Sequence, residues 1–235
     1  MDTLLISAAS GIKARMESLD MLANNLANSE TAGFKADSEF FNLYQQQLPV
    51  IEQQWTNFSQ GTLVATGNPL HVALSGKGFL AVNGPAGAVY TRSGVLQITK
   101  ANELATPDGY TVRNALNQGK PMQVDPSATV VIDKAGIVSQ NGEVIGQMEL
   151  VRIPSAADTL KKLGNSYFAL AGHGSATAER DTEVMQGQLE QSNVTVADSA
   201  VRLINVMRQF EMLQKAMAIG SQMNKQAVQQ VARVG

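Results

Sequence analysis

The residues that could do chemistry in this chain are few and do not form a reactive pattern. His71 and His173 are the only histidines, and neither has a second ligand at metal-binding spacing. A Ser-His-Asp site could be assembled only from distant positions, because the sequence contains no nucleophile-elbow motif. Gly76-Lys77-Gly78 resembles a fragment of a phosphate loop, but a strand pattern follows it, so we interpret it as a tight turn. The acidic pair Asp37 and Glu39 is typical of a solvated face.

Composition and charge exclude further classes of function. The 235 residues carry a formal net charge of -2 and contain no cysteine, which excludes disulfides and thiolate chemistry. The sequence has no basic run, so we expect no nucleic-acid partner. No apolar run reaches the ~18–20 residues of a membrane span. The first residues lack a basic segment, so we expect neither a cleaved signal peptide nor membrane insertion.

The N-terminal end of the chain has the apolar spacing of an amphipathic helix. Leu5, Ile12, Leu19 and Leu26 recur at intervals of seven residues. A second set follows the first three of them by four residues each, and comprises Ala9, Met16 and Ala23. This spacing predicts an apolar stripe on a helix or coiled-coil strand that ends near Asn28.

A cluster of amides closes this predicted helix. Asn24, Asn25 and Asn28 are poor interior residues, because their side chains compete for backbone hydrogen bonds. The cluster either fixes the register of a helix pair or simply caps and frays the helix end, and the spacing is compatible with both. Thr31 and Gly33 then predict a turn in which Gly33 is free to adopt a positive φ.

A second long helix is predicted at the C-terminal end, from Val196 to about Val231. Thr195 and Asp198 have the spacing of a capping box, which makes Thr195 the expected N-cap. Apolar residues recur at sevens along this helix, with companions three residues after two of them: Val196, Leu203, Phe210 and Met217, then Val206 and Leu213. A single helix with such a stripe is unstable in water. We therefore expect it to pair with the N-terminal helix or with neighbouring copies of the chain, and its methionines suit irregular neighbours.

Between the helices, the pattern changes to short apolar runs separated by turn residues. The strand signals are Val72–Leu74, Phe79–Val82, Val95–Ile98, Thr129–Ile132, Val144–Ile153 and Tyr167–Leu170. Asn141-Gly142 predicts a two-residue hairpin. The expected fold class is α+β, with long N- and C-terminal helices that pair as an α-helical coiled-coil domain and a central mainly-β domain. The predicted boundaries are 1–35, a linker or adapter at 36–60, the β domain at 61–190, and 191–235.

Several of these motifs together resemble a known family. Ala23–Lys35 closely resembles the N-terminal signature of the bacterial flagellar rod and hook family. Leu189–Val194, with the following helix that carries Arg208 and Phe210, resembles the C-terminal signature of that family. The β-domain landmarks occur between them in the same order, at Thr66–Leu70, Gly76–Phe79 and Tyr90–Gly94. The resemblance therefore covers essentially the whole chain. It departs at His71, where an acidic residue is usual, and at 101–103, where a glycine is typical.

The resemblance implies a structural subunit rather than an enzyme, with no cofactor. It implies assembly with other copies and with other flagellar rod proteins into a helical drive shaft that transmits torque from motor to hook. The rod would span the periplasm, and its subunits would leave the cytoplasm through the flagellar type III export apparatus. The terminal helices would form the inner layer of the tube. The short stretch between Lys35 and Thr66, together with Arg208–Met212, favours the proximal type of rod subunit over the distal type.

The stripes, the amides and the signature residues together form the predicted assembly interface. Its members are Leu5, Ile12, Leu19, Asn24, Asn25, Leu26, Asn28, Gly33, Phe34, Val196, Leu203, Met207, Phe210, Leu213 and Met217. Two alternatives come from other classes of protein. One is an enzyme with a pocket inside residues 61–190. The other is a self-contained soluble binding module whose two helices form a hairpin.

Overall fold

Two long helices begin and end the chain in the computed structural model, which describes residues 2–42, 50–164, 166–171 and 174–234. The chain divides into two units. The first, named here the helical unit, consists of Met1–Ala27, Asp37–Thr56 and Val194–Gly235. The second, named the β unit, consists of Asn28–Ala36 and Asn57–Asn193. Terminal helices and a mainly-β central region confirm the predicted α+β class.

The helix ends agree with the capping and turn signals. α1 is Asp2–Ala27 and ends one residue before the predicted stop, and α3 is Val196–Val234 and begins directly after Thr195. α1 and α3 contact each other within the helical unit. A short helix, α2, is Ala156–Thr159, and a 3-10 turn is Ala115–Asn117.

The buried line of α1 differs from the predicted stripe. Buried positions recur at three- and four-residue spacing and are mostly small: Ala8, Gly11, Ala14, Ser18, Leu22 and Asn25. Ile12, Leu19 and Leu26 flank this line and are partly buried, and the side chain of Leu5 lies outside the described part of α1.

The second half of the predicted stripe is exposed in the single chain. Ala9, Met16 and Ala23 all lie on the exposed surface of α1, so no contact within the single chain covers them. Small side chains allow a neighbouring segment to approach the helix closely. Burial along α1 therefore depends on side-chain size at the contact as well as on hydrophobicity.

On α3, most members of the predicted heptad line are partly buried in the single chain. The partly buried residues recur at three- and four-residue spacing as Leu203, Val206, Phe210, Leu213 and Met217. Two further predicted members, Val196 and Met207, are exposed because they lie at the helix start and beside this line.

The helical unit also contains an antiparallel ribbon that the sequence pattern did not predict. β1 is Asp37–Asn42 and β2 is Val50–Thr56, and their register pairs Asp37 with Thr56. A two-stranded ribbon is marginal in water by itself. Both strands contact α1, which gives the ribbon a helix to pack against.

The β unit is built from short antiparallel strands. In chain order they are β3 Leu63–Ala65, β4 Val72–Ser75, β5 Phe79–Gly84, β6 Gly87–Thr91, β7 Gln97–Ile98, β8 Leu104–Ala105, β9 Thr111–Val112, β10 Val131–Ile132, β11 Ile137–Gln140, β12 Glu143–Gln147, β13 Leu150–Arg152, β14 Leu160–Gly164, β15 Tyr167–Leu170, β16 Thr177–Ala178, β17 Glu183–Gln186 and β18 Gln188–Glu190. The largest sheet has the order β14-β15-β6-β5-β9-β8-β7, and β13 joins it through β5 and also pairs with β16. Smaller sheets are β10-β11-β12, β17-β4 and β18-β3.

Turn chemistry explains the local connections. Asn141 and Gly142 have φ of 51° and 84° between β11 and β12, which confirms the predicted hairpin. The predicted long strand Val144–Ile153 is instead divided into β12 and β13.

Apolar side chains fill the interior of the β unit. The main cluster is dominated by valine, leucine and methionine, with Leu74, Leu80 and Leu104 almost fully buried. A smaller cluster brings Phe79 and Phe168 together, and Phe58 meets both rings edge-on at 5.4 and 5.1 Å between centroids. The β unit therefore encloses a core of its own.

Candidate assembly interface

The residues first considered for chemistry do not form a reactive site. Nδ1 of the partly buried His71 lies 3.0 Å from the hydroxyl oxygen of Thr66, and His173 lies outside the described residues. The described part of the chain holds no group of three or more histidine, aspartate or glutamate side chains placed to bind a metal. Gly76–Gly78 forms the tight turn between β4 and β5, as predicted. None of the described helices is both long enough and apolar enough for a membrane span.

Asn25, from the amide cluster, holds the start of β1 against the end of α1. Its side-chain nitrogen donates to the carbonyl oxygen of Asp37 at 2.8 Å, and its side-chain oxygen accepts from the Asp37 amide at 3.0 Å. This two-bond pairing imitates one step of a β ladder. The Asp37 carboxylate in turn accepts from the Thr56 hydroxyl at 2.7 Å, at the open end of the ribbon. Asn25 therefore does more than cap the helix.

The other two amides differ from Asn25 in burial. Asn24 is exposed in the helical unit. Asn28 is partly buried, and its side-chain oxygen accepts from the Thr31 hydroxyl at 3.2 Å. This is a local contact within the turn that follows α1.

Gly33 and Phe34, from the N-terminal signature, are buried in the β unit. Gly33 has φ of 68°, and a Cβ built there would lie 2.3 Å from the Ser93 nitrogen, so only glycine fits. The Gly33 amide donates to the Glu190 carbonyl at 2.8 Å. The Lys162 ammonium lies 4.1 Å from the centroid of the Phe34 ring and donates to the Lys35 carbonyl at 2.7 Å.

Lys35, Arg92 and Glu190 form a fully buried ion cluster, named here the charge clamp. The Lys35 ammonium lies 2.5 Å from one carboxylate oxygen of Glu190, and the Arg92 guanidinium lies 3.3 Å from the other. The side chains of Lys35 and Glu190 are 0% exposed, and that of Arg92 is 2% exposed. Further hydrogen bonds surround the three charges: Lys35 donates to the Ser59 carbonyl, Arg92 donates to the carbonyls of Leu74 and Gly76, and the Gly61 amide donates to Glu190.

The electrostatics of the clamp are set by removal from water. Burial lowers the pKa of Lys35, and the attraction of the Glu190 carboxylate opposes this shift. Burial likewise lowers the pKa of Arg92, against the attraction of Glu190 and Glu179. Desolvation is the larger effect for both cations, so the clamp depends on Glu190 as their shared buried anion.

Asn193, three residues beyond Glu190, connects the same segments through the backbone. Its side-chain oxygen accepts from the Ala36 amide at 2.8 Å. Its side-chain nitrogen donates to the carbonyls of Asn57 and Ser59 at 2.8 and 3.0 Å. The N- and C-terminal signatures are therefore joined to each other inside the β unit.

Sequence reasoning missed the roles of Lys35, Arg92, Glu190 and Asn193. All four lie in motifs that carried the resemblance, but spacing along the chain contains no signal that pairs them. Lys35 and Glu190 are 155 positions apart. The sequence did contain one signal, because Lys35 and Glu190 are charged residues inside motifs that are otherwise mostly apolar or amide. Charged residues are rarely buried unless they are paired, so burial of these motifs would have implied a partner for each charge.

The outer side of α3 carries a second apolar row, named here the outer row. Val201, Met212, Ile219 and Met223 are 60%, 61%, 59% and 60% exposed. Their spacings of 11, 7 and 4 are close to whole turns of a helix with 3.6 residues per turn. Leu203 follows Val201 by two residues, about 200° of rotation, so the heptad line and the outer row occupy opposite sides of α3.

Three family models match the chain in order. "Flagella basal body rod protein" matches residues 5–35, "Flagellar hook protein FlgE/F/G D1 domain" matches 73–144, and "Flagellar basal body rod FlgEFG protein C-terminal" matches 185–230. The first and third include the signatures that meet at the charge clamp. Together they define the class as flagellar rod and hook proteins.

Individual relatives narrow this class. The chain is 30% identical to the flagellar basal-body rod protein FlgF of Caulobacter vibrioides, over 100% of both chains. It is 30% identical to FlgF of Rhizobium meliloti over 90% of each, and 28% identical to the rod protein FlgG of Caulobacter vibrioides over 93% of this chain and 95% of that one. The chain therefore belongs to the flagellar basal-body rod protein family, whose members are structural proteins rather than enzymes.

Proposed function

We propose that this chain is a structural subunit of the proximal part of the flagellar rod, of the F type. It assembles with copies of itself and with other rod proteins into a helical shaft that transmits torque from motor to hook across the periplasm. The family membership and the full-length match to FlgF support this function. Export through the flagellar type III apparatus is part of the same proposal.

The observation that carries the assembly proposal is the outer row of α3. The heptad line on one side of α3 is partly buried, whereas four large apolar residues on the opposite side remain more than half exposed. Scattered apolar residues on a surface need no explanation, but an aligned row over several turns indicates an interaction face. A helix with apolar residues on two opposite sides fits a position between neighbours in a polymer.

Pairing of α1 and α3 as a coiled coil is part of the proposal. The heptad line of Leu203, Phe210 and Met217 supports it, as does the contact between the two helices. In the assembled shaft the remaining interface positions, Ile12, Leu19 and Leu26 on α1 and Met207 on α3, contact neighbouring subunits. Leu5, Asn24 and Val196 belong to the same proposed surface.

The proximal type is favoured over the distal type by the relatives. FlgF of Caulobacter vibrioides matches at 30% identity over 100% of both chains, whereas FlgG proteins match at 28% and 31% identity over 93% of this chain, so the full-length match rather than the identity supports the proximal type. Complementation separates the two: the chain should restore motility to a strain that lacks its own FlgF and leave a strain that lacks FlgG non-motile. The reverse result would assign the chain to the distal rod.

A charge placed in the outer row tests the assembly proposal. Ile219→Asp should leave the purified subunit folded, because the side chain is exposed in the monomer, and should abolish rods and motility in the complemented strain. Gln214→Asp is the matched control, since it adds the same charge at an exposed polar position of α3. Normal rods and motility with Ile219→Asp would overturn the role of the outer row.

A further inference from the structure

The charge clamp draws its three charges from segments far apart in the chain. Lys35 and Glu190 are 155 residues apart, and Arg92 and Glu190 are 98 residues apart. Lys35 ends the N-terminal signature, Arg92 follows β6, and Glu190 ends β18. The clamp can therefore form only after both ends of the β unit have reached the same place.

Backbone hydrogen bonds link the two signatures beside the clamp. The Gly33 amide donates to the Glu190 carbonyl at 2.8 Å, and the Asn193 amide donates to the Phe34 carbonyl at 3.4 Å. The Gly61 amide donates to the Glu190 carboxylate at 2.9 Å. The N-terminal segment 33–36 belongs to none of the strands in the sheets of the β unit, so it is held by these bonds, by the clamp and by the contacts of Lys162 and Asn193 described above.

A partly formed clamp is strongly disfavoured. Without Glu190, the ammonium of Lys35 and the guanidinium of Arg92 would lie buried beside each other with no carboxylate between them. A buried charge that loses its partner destabilises a protein far more than the intact pair stabilises it. The N-terminal segment is therefore either held with all three charges in place or released.

We propose that the charge clamp is an all-or-none lock that orders the N-terminal signature only when the C-terminal signature is in place. The lock acts in the free subunit, before any assembly. α1 ends six residues before Gly33, and α3 begins three residues after Asn193. Closing the lock therefore fixes the points from which the chain continues into both helices, and Glu190 acts as the positioning residue.

The lock is independent of the proposed rod function, because its test uses the monomer. Amide hydrogen exchange is measured by NMR on the full-length chain for Gly33, Ala36 and Gly61, and for Ala81 and Val184 as amides elsewhere in the β unit. In Glu190→Gln, exchange at the first three should accelerate about a hundredfold, because the two buried cations lose their anion. Ala81 and Val184 should change by less than about tenfold.

Two further variants make the result specific to the clamp. Lys35→Met combined with Glu190→Gln removes one of the stranded cations but leaves the buried Arg92 without its anion, so the three amides should stay within about tenfold of their accelerated rates in Glu190→Gln. Glu183→Gln is the control, because the Lys134–Glu183 pair has the same charges but is 74% and 55% exposed. It should change none of the amides by more than about twofold.

Three results would overturn the lock. The first is unchanged protection of Gly33, Ala36 and Gly61 in Glu190→Gln. The second is equal acceleration of these amides and of Ala81 and Val184, which would make Glu190 an ordinary contributor to global stability. If Glu190→Gln fails to fold, the test uses Lys35→Met, which keeps the Arg92–Glu190 pair. The lock predicts that exchange accelerates selectively at Gly33 and Ala36 in this variant. Full protection in that variant is the third result and would also contradict the proposal.

Discussion

The β unit and the helical unit differ in how completely each covers its own apolar surface. In the β unit, the residues of the two core clusters are almost fully buried, and even two cations and a carboxylate are enclosed with partners. In the helical unit, the outer row of α3 is more than half exposed, and the most buried positions of α1 are small residues. The β unit therefore encloses a well-buried core within a single chain, whereas the helical unit leaves an aligned apolar row exposed.

Because of this difference, substitutions that affect subunit stability and substitutions that affect assembly should lie in different parts of the molecule. Substitutions inside the β unit should lower the free energy of unfolding of the subunit. Substitutions on the exposed rows of the helices should leave the subunit intact and act only when copies meet. Trp55, the only tryptophan, lies in β2, so its fluorescence reports the helical unit separately from the tyrosines of the β unit.

The largest expected contrast is between a core residue and an outer-row residue. Phe168→Ala should destabilise the β unit by about 3–5 kcal/mol, because it empties a site between aromatic rings. Met212→Ala should change the stability of the monomer by less than about 0.5 kcal/mol and should still weaken assembly. Urea denaturation gives both stabilities. Similar losses of unfolding free energy in the two variants would contradict the difference between the two units.

The next effect tests the close approach at Gly33. Gly33→Ala should destabilise the β unit by about 3 kcal/mol, because the new Cβ would meet the backbone of Arg92 and Ser93 and the φ is positive. Gly67→Ala is the matched control: its φ of 72° is similar, but no atom lies within 4 Å of the new Cβ. It should cost about 1 kcal/mol. Equal costs would mean that backbone conformation, and not packing against Arg92 and Ser93, explains the glycine.

A smaller effect is expected from the amide that joins α1 to the ribbon. Asn25→Ala removes both bonds to the Asp37 backbone and should destabilise the helical unit by about 1–3 kcal/mol. The loss should appear in the Trp55 fluorescence transition. Asn24→Ala, at an exposed neighbouring position, should have little effect on that transition. An Asn25→Ala transition identical to that of the wild type would show that the pairing does not stabilise the unit.

The smallest effect is a pH dependence at Lys35. Because burial lowers its pKa in the folded chain, the unfolded chain binds this proton more tightly. Stability of the wild type relative to Lys35→Met should therefore rise as the pH increases toward 10.5, by at most about 1.4 kcal/mol per pH unit. The measurement is urea denaturation of both proteins across the alkaline range. A difference that falls with pH would contradict the lowered pKa.

Features that depend on local chemistry were predictable from the sequence. The ends of α1 and α3 follow from the amide cluster, Thr195 and long apolar periodicity, and the hairpin at 141–142 follows from the turn preference of Asn-Gly. The heptad line of α3 is also where the pattern predicted it.

Features that depend on distant contacts were not predictable. The buried line on α1 is set by how closely its neighbours approach, so Ala8, Ala14 and Ser18 are buried while Met16 is not. The charge clamp joins positions 155 residues apart, and no local pattern encodes such a pairing. The β1–β2 ribbon also depends on α1 beside it, because the strands alone are marginal.

The most direct test of the account compares hydrogen exchange along the chain in the monomer and in rods purified from complemented cells. The account predicts that the β unit, including residues 33–36, is equally protected in both states. The amides of α3 around Met212 and Ile219 should exchange rapidly in the monomer and become protected on assembly. Equal protection of α3 in both states would mean that the helical unit is already complete in the single chain, and would contradict the account.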